Sequence, residues 1–275
     1  MRNTLPRSYL FVPGNRPERF ARAFASGAHS VILDLEDAVP ADEKAAARDA
    51  IALALGAAHP PSPVLIRING AQTEWFGDDL KLCALPGVAG VVLPKAERVE
   101  DLAQLAGAIG TLSILPLIET ALGMANAAAM ARAPQVQRLV FGSIDFKLDL
   151  GIEGDHEELL YFRSQLVLAS RLAALPAPVD GVTVALDDET LLHCDTLRGR
   201  RLGFGAKLCI HPRQLETVHR TFLPSDEETA WARRVVAAAD ATNGAAVAFD
   251  GRMVDRPVIL KAQQILKEAA HAVNA

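Results

Sequence analysis

The sequence predicts a (β/α)8 barrel followed by a short C-terminal helical appendage, and three observations carry that expectation. Short apolar runs alternate with helical segments at even spacing, eight times before residue 222. Most of these runs (SVILDL, GVVLP, LSILPLI) are continuously apolar, as in a parallel sheet covered by helices on both faces. Eight such units in roughly 220 residues match a closed barrel. A doubly wound open sheet is the alternative, but its nucleotide fingerprint is missing. Gly203-x-Gly205 lacks the third glycine and follows a loop.

Each element follows in order. Tyr9–Val12 reads as the first strand, and Pro17–Ser26 as a helix that opens on proline and closes before Gly27. Ser30–Leu35 precedes an alanine-rich helix at 41–55, and Val64–Asn69 precedes a helix at 74–83. Gly90–Pro94 leads to 99–109, Leu112–Ile118 to 121–131, and Arg138–Phe141 to a long helix at 157–175. Val179–Val182 leads to 187–197, and Lys207–Ile210 to 213–222. These elements make a barrel domain of residues 1–222. Residues 223–275 form the appendage: a helix opening at Ser225 with acidic first-turn residues, a turn at Asn243-Gly244, a strand at 245–249 and a last helix at 257–272. The expectation is that this piece caps the barrel or reaches a neighbouring subunit.

Composition narrows the function. Half of the 275 residues are hydrophobic and 22% are charged, the balance of a globular protein with a large core. Lys and Arg number 28 against 33 Asp and Glu, a net charge of −5 that gives no electrostatic reason to hold nucleic acid. Three scattered cysteines exclude a disulfide framework, and no C-x-x-C pair suggests structural zinc. The N-terminal run Tyr9–Val12 is a strand rather than a signal-peptide core, and no apolar stretch approaches the ~20 residues that span a bilayer. The expected protein is soluble and cytoplasmic, with neither membrane nor nucleic-acid partners.

In a barrel of this kind chemistry gathers where strands end. Strand two ends in Asp34-Leu35-Glu36-Asp37, strand three in Arg67-Ile68-Asn69, strand four in Pro94-Lys95, strand five in Glu119-Thr120, and strand six in Gly142-Ser143-Ile144-Asp145. Taken singly, Asp37 or Glu119 reads as the cap of the next helix. Acidic groups from three strands at one mouth would repel one another unless a cation lay between them. Oxygen ligands without nearby cysteine favour a hard ion, Mg²⁺ ahead of Mn²⁺. Glu119 and Asp145 are the sharpest ligand candidates, because they end adjacent strands. Arg67 faces that position, where a fixed cation suits an anionic substrate or a developing enolate; its alternative is an ion pair with Glu36 or Asp37. Arg16, Arg19 and Arg22 around the first helix suit phosphates or form a solvated face. Lys207, within strand eight, is costly in a barrel interior unless paired. His211 and Asp255 read equally as caps of the helices that follow them.

A set of motifs runs through nearly the whole chain. They are RSYLFVPGN from Arg7 to Asn15, ILDLEDAV from Ile32 to Val39, Lys44 with Arg48, Arg67-Ile68-Asn69, Leu93-Pro94-Lys95, Ile118-Glu119-Thr120 and Phe141-Gly142 with Asp145-Phe146. Gly203-Phe204 with Lys207, Ile210-His211-Pro212 with Gln214, and Gly251 with Met253-Val254-Asp255 and Pro257 complete them. In this order they resemble the citrate lyase β-subunit-like family, within the group of HpcH/HpaI aldolases and malyl-, citramalyl- and citryl-CoA lyases. Departures from the usual family pattern fall at Arg22, His29 and Ala206, none of them a candidate metal ligand.

The resemblance implies a Mg²⁺-dependent carbon–carbon lyase acting on a coenzyme A thioester, usually a homotrimer. It implies that Glu119 and Asp145 hold the metal, that Glu119 and Arg67 contact substrate, and that Glu36 and Asp37 surround the metal. It assigns Asp255 to a lid over the next subunit, as acid/base, which replaces the cap reading of that residue. Arg16, Arg19 and Arg22 would then meet the coenzyme A phosphates. A β subunit acting on a citryl group carried by an acyl carrier protein, and a catalytically silent barrel, are the competing expectations.

Overall fold

The structure is a computed structural model that describes residues 5–57, 60–241, 247–249 and 252–273. Eight parallel strands close into a barrel in chain order: β1 Ser8–Pro13, β2 Ser30–Asp34, β3 Val64–Arg67, β4 Val88–Leu93, β5 Ser113–Ile118, β6 Val140–Phe141, β7 Val179–Asp180 and β8 Ala206–Cys209. β8 returns to β1 with Tyr9 opposite Leu208. The intervening helices are α1 Phe20–Phe24, α2 Lys44–Ala57, α3 Phe76–Asp79, α4 Val99–Ala108, α5 Ala121–Met130, α6 Ser143–Leu150, α7 Leu160–Leu172, α8 Glu189–Leu202 and α9 Leu215–Phe222. The predicted barrel is therefore the fold.

Period-two alternation sorts the strand residues. Tyr9, Ile32, Leu65, Val92, Leu115, Leu117, Val140, Val179, Ala206 and Leu208 fill the barrel interior, with Phe11 and Val182 packed against them. Their neighbours Leu10, Val31, Leu33, Ile66 and Val91 are equally buried, but under the helices. Both faces being dry explains why the strands read as unbroken apolar runs.

This alternation corrects the expectation for Lys207. Ala206 and Leu208 point inward, so Lys207 points out into the helix layer, where its ammonium donates to the Gly181 carbonyl at 2.7 Å. A dense ionic network lies on the same flank. Arg163 of α7, 2% exposed, donates through Nε to Asp180 at 2.9 Å and through Nη1 to the Asp155 carbonyl at 2.8 Å. Arg198 of α8 reaches both Asp155 (3.3 Å) and Asp195 (2.9 Å), and Thr183 donates to Asp195 at 2.7 Å. The network sits where the sheet is thinnest, because β6 and β7 meet through the single register pair Val140–Val179.

Two helices follow β6 where the sequence predicted one. Gly142–Asp145 read as the end of strand six, yet Ser143–Leu150 forms α6, closed by Gly151 in the left-handed region at φ 68°. Side-chain caps start other helices: Thr120 accepts from the Gly123 amide at 3.0 Å to start α5, Asp188 from the Leu191 amide at 2.8 Å to start α8, and His211 from the Arg213 amide at 3.1 Å.

The chain divides into two compact units, residues 1–218 and 219–275, with the division inside α9. The second unit contains α10 Asp226–Ala241, a hairpin of β9 Val247–Phe249 and β10 Arg252–Val254, and α11 Arg256–Val273. Ala232 and Val235 of α10 pack with Val254, Ala262 and Ile265 to give it a core of its own. The hairpin's second strand was not anticipated, and the predicted turn at Asn243-Gly244 and the first residues of the predicted strand, Ala245 and Ala246, lie outside the described residues. Among the described residues no helix is long and apolar enough to cross a membrane.

Candidate active site

The C-terminal ends of the strands surround a cavity of about 280 Å³ lined by Asp34, Arg67, Glu119, Gly142, Ser143 and Asp145 among others. Four of the predicted site residues (Arg19, Arg67, Glu119 and Asp145) line this one mouth, and Glu36 joins them through its ion pair with Arg67.

Arg67 ends β3 beside the end of β2, with Asp34 its register partner. Its guanidinium grips Asp34 bidentately, Nε to Oδ1 at 2.6 Å and Nη2 to Oδ2 at 2.5 Å, and Nη1 lies 3.1 Å from Glu36. The Phe11 ring covers it at 4.7 Å. Of the two ion-pair partners that the sequence offered Arg67, Glu36 or Asp37, the structure shows Glu36, and the principal partner is Asp34. In the sequence Asp34 reads only as the polar terminus of a strand; the signal for its role is the opposite charge of two strand ends, Asp34 and Arg67.

The loop 35–39 is held from behind by other motif residues. Lys44, buried, donates to the Leu35 and Glu36 carbonyls at 2.8 and 3.1 Å, and Asn69 donates to Leu35 at 3.0 Å. Arg48 and Asn69 share Asp79 between them. Glu36 is thereby turned toward Arg67 and Lys95, and Asp37 stays at the exposed rim, 3.5 Å from Lys95.

Glu119, 1% exposed, directly follows β5. It is not a helix cap, a role that Thr120 fills. One carboxylate oxygen accepts the Lys95 amide at 2.7 Å. The other lies against Gly142, where a Cβ would come within 2.5 Å of it, so only glycine leaves that oxygen its place. Burial first, and then the charge of Glu36, push the Glu119 carboxyl up to about 8; Asp145 adds to the rise, against the Lys95 amide and Arg67. Burial likewise raises Glu36, against Arg67 and Lys95. Asp145 is not at a strand end equivalent to that of Glu119, as the sequence suggested, but in the first turn of α6. Among the described residues its carboxylate receives no hydrogen bond or ion pair.

The donor set fits a hard divalent cation. Glu119 keeps one oxygen free of the Lys95 amide, Asp145 is unpaired, and their mutual repulsion is the kind a cation relieves. Among the described residues no group of three His, Cys, Asp or Glu is arranged around one point. Two carboxylates with remaining positions for water and substrate oxygens are the pattern of Mg²⁺, which keeps waters and borrows ligands from substrate.

A second cavity of about 330 Å³ opens beside the first, between the ends of β1 and β8 and helix α1, and shares Phe11, Pro13, Arg19 and Ile210 with it. Arg19, Arg22 and His211 line it; Arg16 is exposed and lines neither cavity. Burial, then Arg213 and Arg22, hold the His211 imidazole below its ordinary value. Asp255 belongs to the second unit, between β10 and α11, and its carbonyl accepts the Ile259 amide at 3.0 Å in the first turn of α11.

Known proteins match this chain along nearly its full length. It is 40% identical to a citrate lyase subunit beta-like protein of Deinococcus radiodurans, covering 97% of this chain and 98% of that one. It is 35% identical to a (3S)-malyl-CoA thioesterase of Cereibacter sphaeroides over 96% and 94% of the two chains. The crystal structure of the Mycobacterium tuberculosis protein CitE in complex with magnesium, acetoacetate and coenzyme A superposes with a TM-score of 0.87 at 34% identity, over 98% of this chain and all of that one. Residues 7–212, which hold both cavities, match the HpcH/HpaI aldolase/citrate lyase family, and the chain belongs to that family.

Proposed function

We propose that this protein is a Mg²⁺-dependent lyase that cleaves a 3-hydroxyacyl thioester of the malyl-, citramalyl- or citryl-CoA type into a 2-oxo acid and a shorter acyl thioester. The observation that carries this reading is the placement of Glu119 and Asp145 on either side of Gly142, in one cavity with Arg67. In the reaction the C2–C3 bond of the thioester breaks. The hydroxyl on C3 loses its proton and becomes the keto group of the 2-oxo acid, and the bond's electron pair passes to C2 as a thioester enolate, which a proton at C2 quenches. When bound, the cation chelates the 2-hydroxy acid half and lowers the pKa of its hydroxyl.

The chain's own residues do the rest. Glu119 and Asp145 fix the cation end. Arg67, locked in orientation by Asp34, meets the charge that grows on the thioester oxygen; because its geometry is set in advance, nothing must reorganise as that charge develops. Asp255 is assigned as the acid/base at C2, supplied by the second unit of a neighbouring subunit in a homotrimer. Arg19 and Arg22 suit the phosphates of coenzyme A, and Arg16 at the rim adds to the local positive charge.

The thioesterase name carried by one relative favours a second outcome, in which water attacks the thioester carbonyl. The two are separated by their products. Malyl-, citramalyl- and citryl-CoA are incubated with Mg²⁺ or EDTA, and 2-oxo acid and free thiol are measured separately. Release of a 2-oxo acid without thiol, lost with EDTA, supports the lyase. Thiol without 2-oxo acid replaces it with hydrolysis. Neither product from folded, Mg²⁺-loaded protein refutes both for coenzyme A thioesters, and the same assay on a citryl group borne by an acyl carrier protein then tests that carrier.

A further inference from the structure

Lys95 stands at the mouth in a conformation its side chain does not favour. Its φ is 46°, in the left-handed region, although it is not glycine. Such backbone is unfavourable for a residue with a Cβ and persists where surrounding structure imposes it. Here two bonds impose it. The Lys95 amide donates to Glu119 at 2.7 Å, and the next amide, Ala96, donates to the Leu117 carbonyl at 3.2 Å, so the turn after β4 is pinned to the end of β5. With the amide turned one way, the side chain leaves the other way, and its ammonium binds Glu36 and lies 3.5 Å from Asp37.

Building on the cation site proposed above, we infer that Lys95 is a positioning residue that sorts the carboxylates of this mouth. Through its amide it fixes one oxygen of Glu119 and leaves the other, against Gly142, for the cation. Through its ammonium it holds Glu36 and Asp37 out of competition for that cation. The cluster Asp34, Glu36, Asp37, Glu119 and Asp145 otherwise offers five acidic groups, of which Arg67 neutralises only its two partners, Asp34 and Glu36. Lys95 is thus what leaves coordination positions open for the substrate's own oxygens. A lysine held only for folding would not have this consequence.

The expected sign is unusual for a residue at an active site. Lys95→Met removes the ammonium and keeps the amide, so Mg²⁺ binding tightens on the order of tenfold, because a positive charge leaves the neighbourhood and Glu36 is freed to join the ion. In the same variant kcat/KM falls, since Glu36 then occupies a place the substrate needs. Lys95→Arg, which keeps the charge, restores both values toward wild type. Mg²⁺ affinity is read by calorimetry, or by Mn²⁺ binding in EPR, on the full chain. Unchanged or weaker cation binding in Lys95→Met overturns the inference. If that variant does not fold, Lys95→Gln, which keeps a donor to Glu36 without the charge, is expected to tighten Mg²⁺ less, through loss of the charge alone, and unchanged or weaker binding is the same refutation. The cation titration needs no turnover. A wild type that binds Mg²⁺ but cleaves no thioester therefore refutes the proposed reaction while the titration still decides Lys95, and a wild type that binds no Mg²⁺ overturns both.

Discussion

One barrel carries two clusters of charge, one beside β6–β8 and one at the mouth, and they are built differently. On the β6–β8 flank the ion pairs join Arg163, Arg198 and Lys147 to Asp155, Asp180 and Asp195, three cations to three carboxylates, while Lys207 beside them is held by a backbone carbonyl. At the mouth, Arg67 and Lys95 face Asp34, Glu36, Asp37, Glu119 and Asp145. The first cluster is closed: each charge finds its counter-charge within the chain. The second is left short of positive charge, and its excess is concentrated where a cavity gives access. Density of buried charge alone therefore does not mark a site; imbalance beside open volume does.

That contrast can be broken by substitutions on each side. The largest effect is expected for Glu119→Ala, which should abolish Mg²⁺-dependent cleavage and weaken Mg²⁺ binding in calorimetry; retained activity would sink the metal assignment. Arg67→Lys keeps one charge but loses the two-pronged grip on Asp34, and kcat should fall about 10²–10³-fold with a much smaller change in melting temperature. On the closed flank the balance reverses. Asp180→Asn removes the buried carboxylate closest to Arg163 and leaves it only the longer carboxylate contact, with Asp155, so urea unfolding should show a loss of about 3 kcal/mol while kcat per folded molecule is unchanged. Equal effects of Asp180→Asn on turnover and on stability would erase the distinction between the flanks.

The mouth should also respond to pH in a definite direction. Binding a cation requires Glu119 ionised, and its carboxyl is held up at about 8, so binding below that pH must expel a proton. Mg²⁺ affinity should rise by about tenfold per pH unit through the neutral range and level off above 8. The cation-free protein should behave oppositely. A carboxyl raised in the folded state favours the protonated form there, so stability declines as pH climbs from the unfolded value of 4.5 through 8. Thermal melts with EDTA across that range check the second sign and calorimetry checks the first.

Much of this was readable in advance, for physical reasons that differ residue by residue. Glu36, Arg67 and Glu119 follow apolar strands, and the place where such a strand meets polar sequence is the place where a barrel opens to solvent. Asp145 was found for the right neighbourhood and the wrong element, because SIDFKLDL has too weak a helical period to announce α6. Lys207 was turned the wrong way, since a strand buried on both faces carries no alternation from which to read which side is inward. Asp34 and Lys95 acquire their roles from register and from a left-handed backbone, two properties that only the folded chain displays. The hairpin was half seen because Arg252–Val254 opens on a charged residue, whereas Val247–Phe249 lies within the apolar run Ala245–Phe249 of the sequence.

The thin contact between β6 and β7 has a mechanical meaning. A wall joined there by one register pair is a seam, and Arg163 with Asp180 works as the bolt across it, linking the helix outside to the strand that the ladder barely holds. Amide exchange should therefore reach Val140 and Val179 before it reaches the long ladders of β1 to β5, and a barrel pulled apart would part along this line first. Because β6 runs directly into Gly142 and Asp145, any opening of the seam would slacken one jaw of the carboxylate pair while Glu119, on the well-laddered β5, stayed in place.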